Sequence, residues 1–86
     1  MAQITIYTKN YCPYCNKAKS LLTRKGQRNF TEINITHDEN LQKEMIEKSG
    51  GRKTVPQIFI NGQSVGGCDD LYALESAGKL DALLAT

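Results

Sequence analysis

Hydrophobic and polar positions change period several times along the chain, and each change marks an element. From Gln3 to Thr8 the run Gln-Ile-Thr-Ile-Tyr-Thr mixes β-branched and aromatic residues, which predicts a strand. Asn10 to Pro13 interrupts it. Pro13 suits the first position of a helix, where the N–H it lacks is not needed. The spacing then becomes helical: Cys15, Ala18, Leu21 and Leu22 fall on one face, with Lys17, Lys19 and Arg24 elsewhere. Gly26 supplies a C-terminal stop.

A second strand is predicted from Phe30 to Ile35, where Phe-Thr-Glu-Ile-Asn-Ile alternates. Thr36 or Asp38 caps a helix that turns Leu41, Met45 and Ile46 inward and stops at Gly50-Gly51. Gln57 to Ile60 and Gln63 to Val65 form a hairpin around Asn61-Gly62. After Gly66-Gly67, either Cys68 or Asp69 opens a helix carrying Leu71, Leu74 and Ala77, which ends at Gly78. Leu80, Leu83 and Leu84 suggest one more short helix. The order β-α-β-α-β-β-α places a right-handed parallel crossover first and an antiparallel hairpin later. The fold class expected is therefore α/β, a four-stranded mixed sheet flanked by helices.

The 86 residues suit a single domain, 1–86, with a modest core. The N-terminus lacks a basic region followed by a long apolar stretch, so no signal peptide is expected. No apolar run approaches the ~20 residues that span a bilayer. A formal net charge of +2 with interspersed signs gives nucleic-acid binding no support. Three cysteines, two of them in one C-x-x-C, do not make a secreted disulfide framework. They point to redox chemistry or a metal in a reducing compartment, and the expected location is cytoplasmic.

Cys12 precedes the first helix and Cys15 lies one turn inside it, so the two sulfurs are within reach of each other and differ in surroundings. A helix N-terminus carries roughly +0.5 charge and unpaired N–H donors. There a Cys12 thiolate is favoured, with a pKa expected below the free value of ~8.5. Cys15 points into the domain, where burial disfavours ionisation. Cys12 is thus the attacking sulfur and Cys15 the resolving one. A zinc site would want two further ligands, and only Cys68 and His37 remain, so no metal is expected. A structural disulfide closing so small a loop would constrain the unfolded chain little. Ordinary core cysteines fit poorly with Pro13 and Tyr14 between them.

Three separated segments carry a resemblance to a known family. Cys12-Pro13-Tyr14-Cys15 resembles the dithiol active site of the glutaredoxins, Thr54-Val55-Pro56 their cis-proline loop, and Gly66-Gly67-Cys68-Asp69-Asp70-Leu71 their second glutathione-binding segment. The small bacterial dithiol class is the most similar. The resemblance covers essentially the whole chain. Thioredoxins usually carry Trp before Cys-Gly-Pro-Cys, and this chain has no Trp. Cluster-holding monothiol relatives usually read Cys-Gly-Phe-Ser, and position 15 here is Cys.

The resemblance implies a thioredoxin-like fold and a glutathione-dependent disulfide reductase. No permanently bound cofactor is implied; glutathione serves as electron-donor cosubstrate. It implies that Val55 offers its backbone to the glutathione cysteine beside Thr54 and a cis Pro56. It also implies that the γ-glutamyl carboxylate binds at Gly67, Cys68 and Asp69, where helix N–H groups suit an anion. Tyr14 covers the ligand beside the sulfur. Among Lys9, Arg52 and Lys53, Lys9 is favoured for the glycine carboxylate because it flanks the active-site loop. Asp69 is also a candidate helix cap, and Asp70 a dipole partner. Cys68, at a helix start, is a candidate for a lowered pKa. Expected partners are glutathione and disulfide-containing or glutathionylated proteins, ribonucleotide reductase being a family-level expectation. The expected assembly is a monomer, acting on neither nucleic acid nor membrane.

Overall fold

The computed structural model describes residues 2–85. The elements run β1 (Ile4–Thr8), α1 (Pro13–Arg24), β2 (Thr31–Asn34), α2 (Glu39–Lys48), β3 (Gln57–Ile60), β4 (Gln63–Gly66), α3 (Cys68–Ser76) and α4 (Leu80–Leu84). The sheet order is β2-β1-β3-β4. β1 and β2 are parallel, and β3 is antiparallel to both β1 and β4. This is the four-stranded mixed sheet with flanking helices that the pattern predicts.

Strand alternation divides the core. Ile4, Ile6, Ile58 and Ile60 pack with Ala18, Leu21 and Leu22 of α1, Leu71 of α3 and Leu80 of α4. Truncating such a leucine costs about 2–5 kcal/mol. On the opposite face Tyr7 and Phe59 pack with Ile35 and Met45. Lys25, closing α1, pairs with Glu75 at 3.0 Å and Asp81 at 2.7 Å and ties three helices together.

Boundaries differ from the sequence reading at β2 and β4, and the structure decides between the two caps offered for α2. β2 is shorter than Phe30 to Ile35: it is an edge strand bonded only to β1, and Ile35, whose N–H still donates to the Thr8 carbonyl at 2.8 Å, is buried in the second core. Asp38 caps α2, its Oδ1 accepting from the Leu41 N–H at 3.0 Å. The Thr36 hydroxyl is occupied elsewhere, donating to Asn34 Oδ1 and accepting from the Asn10 N–H. β4 extends to Gly66, which pairs with Ile58.

Tyr7 is buried, and its hydroxyl donates to Glu44 at 2.9 Å. Burial first, then the bond to Glu44 and its charge, pushes the phenol up to about 12 from 10.0. The folded state therefore holds this proton more tightly than the unfolded chain. The associated stability is complete below about pH 10 and disappears as pH rises towards about 12. Ultraviolet titration is expected to resolve one phenol ionising near pH 12, absent in Tyr7→Phe. A wild-type curve with no such component would contradict the assignment.

Candidate active site

The loop after β1 is held by side chains from the end of β2. Asn34 Nδ2 donates to Asn10 Oδ1 at 2.9 Å, and the Asn10 N–H donates to Thr36 Oγ1 at 2.8 Å. The chain then passes through Tyr11 at φ +56°. This left-handed conformation costs a non-glycine residue on the order of 1 kcal/mol. Cys12 follows as the N-cap of α1, in extended geometry, with Pro13 at the first helical position. The Cys15 N–H donates to Cys12 Sγ at 3.1 Å, giving that sulfur one of the free donors of the helix end. The two cysteines are joined as a disulfide, with Cα atoms 5.2 Å apart. Cys12 is half-buried and Cys15 is 1% exposed, so the first cysteine is partly open to solvent and its partner is sheltered.

The Val55–Pro56 peptide bond is cis. The loop before it is clamped by Gln57, whose Nε2 donates to the Thr54 carbonyl at 3.0 Å and to Thr54 Oγ1 at 3.2 Å. Gln57 is fully buried and its Oε1 has no partner among the described residues. Sequence reading missed this residue. A glutamine opening a strand carries no signal of burial; only the long-range position of the loop supplies one.

α3 begins against that loop. A Cβ at Gly67 would stand 3.3 Å from the Pro56 carbonyl oxygen, so the close approach favours glycine there. Asp70 Oδ2 accepts from the Gly67 N–H at 2.9 Å and from Arg52 Nη2 at 3.1 Å. The residue that caps α3 is thus Asp70, three positions after the N-cap, while Asp69 is exposed. The bond from Gly67, then Arg52, lowers the Asp70 pKa below its usual 3.8. Cys68 corrects a second expectation. It is buried, and desolvation raises its thiol pKa against the pull of Lys17, despite its place at a helix start.

The Asp70 shift has a defined sign. A depressed carboxyl contributes stability that is present above the unfolded value and lost as pH falls through the folded one. The stability advantage of wild type over Asp70→Asn is therefore expected to shrink as pH drops from about 4, with thermal unfolding at several pH values as the measurement. The pair is half exposed, so the effect is small. An advantage independent of pH in that range would refute the linkage.

These segments enclose a cleft of about 260 Å³. Thr54, Val55 and Pro56 line one side, Gly67, Cys68 and Asp69 the other, and Tyr14 belongs to the lining between Cys12 and Cys15 in sequence. Arg52 and Asp70 complete it. Lys9 is exposed and stands outside that lining. A larger hollow of about 380 Å³, lined by Gln3, Thr5, Tyr7, Lys48, Phe59 and Gly62, contains no cysteine. His37 is exposed. Among the described residues no three His, Cys, Asp or Glu side chains converge as a metal site, and no helix is long and apolar enough to cross a membrane.

A mixed sheet with this order, a C-x-x-C heading the first crossover helix and a cis-proline loop on the adjoining cleft define a dithiol protein of the thioredoxin-like fold. The glutaredoxin family model matches residues 4–65. Glutaredoxin 3 of Escherichia coli (strain K12) is 56% identical over 84 residues, covering 98% of this chain and 99% of its own. The solution structure of glutaredoxin from Brucella melitensis aligns at TM-score 0.84 with 57% identity, over 98% of this chain and 89% of that one. The crystal structure of a buckwheat glutaredoxin–glutathione complex aligns at TM-score 0.86 with 30% identity, over 98% and 77%. The chain belongs to the glutaredoxin family, with a dithiol-type active site.

Proposed function

We propose that this protein is a glutathione-dependent thiol–disulfide oxidoreductase that reduces protein disulfides and glutathione mixed disulfides through Cys12 and Cys15. The observation that carries the reading is the unequal pair: a partly exposed cysteine at a helix N-cap, a sheltered partner one turn on, and a cleft lined by the Tyr14 that separates them.

In the monothiol route the Cys12 thiolate attacks the glutathione sulfur of a glutathionylated protein. The S–S bond breaks, the protein leaves as thiolate, and Cys12 becomes bonded to glutathione. A second glutathione thiolate attacks that bond, releasing glutathione disulfide and regenerating Cys12. In the dithiol route Cys12 attacks a protein disulfide, and Cys15 displaces the protein as a dithiol. Two glutathiones then reduce the 12–15 disulfide and leave as glutathione disulfide. Placement of Cys12 at the helix mouth favours its thiolate and makes it a better leaving group. Glutaredoxin couples lie at ~−200 to −230 mV, close to a glutathione pool at ~−220 to −260 mV, so the drive is small and follows the cellular poise.

For the ligand, Val55 offers backbone groups to the glutathione cysteine and Tyr14 covers it, beside Thr54 and Pro56. Gly67, Cys68 and Asp69 take the γ-glutamyl end at the start of α3. Lys9, favoured from the sequence, and Arg52, in the cleft lining, are the two cations proposed for the glycine carboxylate. The protein works as a single-domain cytoplasmic monomer on disulfide-containing or glutathionylated proteins, ribonucleotide reductase among them. The test is reduction of the mixed disulfide of glutathione and 2-mercaptoethanol with glutathione, NADPH and glutathione reductase. Turnover is expected with that system. Turnover only with thioredoxin reductase would assign the protein to a different electron donor.

A further inference from the structure

Two large apolar side chains are exposed among the described residues, and both lie within two positions of Cys12. Tyr14 belongs to the cleft lining, and Tyr11 does not. Tyr11 is 101% exposed, and its hydroxyl has no partner among the described residues. Its backbone is held at φ +56°, which asparagine or glycine adopts more readily than an aromatic residue. The fold therefore gains neither burial, nor a hydrogen bond, nor a relaxed backbone from this ring. A strained, solvent-facing aromatic next to a reacting sulfur is accounted for by something outside the chain. Tyrosine offers rigid contact area at low entropic cost, the property that enriches it at interfaces.

We propose that Tyr11 is a specificity-determining residue for protein substrates: its ring packs against the polypeptide that flanks the target disulfide. This rests on the thiol–disulfide activity proposed above. The cleft holding the glutathionyl group is completed without Tyr11, so what remains to be recognised beside Cys12 is the rest of a protein substrate. The two rings divide the ligand, Tyr14 with glutathione and Tyr11 with polypeptide.

The test compares wild type, Tyr11→Asn and Tyr11→Phe on glutathionylated serum albumin and on the mixed disulfide of glutathione and 2-mercaptoethanol. Asn tolerates the left-handed backbone, so the variant removes the ring and keeps the loop. For Tyr11→Asn the kcat/KM on albumin is expected to fall about tenfold, the scale of one lost interface aromatic, chiefly through KM. Its kinetics on the small disulfide and its KM for glutathione are expected to stay at wild-type values, and its Tm to hold or rise, because asparagine relieves the strained backbone. Tyr11→Phe is expected to retain the albumin activity. Equal losses on both substrates, a raised KM for glutathione, a lowered Tm, or no loss on albumin would each overturn the proposal. A wild type inactive on the small disulfide would instead sink the underlying reading of function.

Discussion

Changing Cys12 to Ser is expected to reduce turnover to the uncatalysed background for small mixed disulfides and protein disulfides alike. The loss should be on the order of 10³ or more, as for nucleophiles in other enzymes with covalent intermediates. A serine hydroxyl stays protonated at neutral pH and forms no disulfide, so neither route has a first step. Cys15→Ser is expected to separate the routes. Deglutathionylation should persist, because glutathione itself resolves the Cys12 mixed disulfide. Protein-disulfide reduction should be lost, because the second sulfur is missing. Mass spectrometry of Cys15→Ser after exposure to glutathione disulfide should find one glutathione, bonded at Cys12. Cys15 is buried, so Tm must accompany both assays. Equal loss of both activities at unchanged Tm would refute the two-route scheme, and substantial turnover by Cys12→Ser would refute the nucleophile.

The periodic parts of the fold are legible in the sequence because each is decided locally. Cys15, Ala18, Leu21 and Leu22 recur at helical spacing, and they are the buried face of α1. Asn61-Gly62 makes its turn because both residues adopt positive φ, 53° and 81°. The segments that build the cleft are legible by their motifs, yet the contacts that hold them are not. Asp70 reaches back to Gly67 as the N3 side chain of a capping box, legible only once the helix start is fixed at Cys68, and across to Arg52, eighteen residues away, a contact that no local rule supplies. Gln57 looks like an ordinary polar strand residue until the Thr54 loop folds over it. The Cys68 thiol illustrates competing effects at one position: a helix start favours the thiolate, burial opposes it, and burial prevails here. The strain at Tyr11 has no sequence signature at all, since nothing in Asn10-Tyr11-Cys12 demands a left-handed residue.

Gly66→Ala, one residue before the cleft wall, is expected to be a damaging conservative change. Gly66 is buried at the end of β4 with φ +114°, a conformation that side chains rarely adopt. A Cβ there would collide with the Asp70 carboxylate, lying 2.7 Å from its Cγ. The backbone must shift, or Asp70 must swing away and release both the Gly67 N–H and Arg52. Strain and the lost cap together predict about 2–4 kcal/mol of destabilisation. In a domain of this size that lowers Tm by more than ~8 °C. The KM for glutathione should rise as well, because the same residues form the cleft. A double-mutant cycle separates the two causes. Asp70→Ala alone loses the cap, and adding Gly66→Ala to it should then cost only the backbone strain, because the carboxylate that the methyl strikes is gone. The pair is therefore expected to be less damaging than the sum of its single changes. Strict additivity would mean that the penalty at Gly66 arises from its backbone angle alone, with Asp70 free to stay where it is.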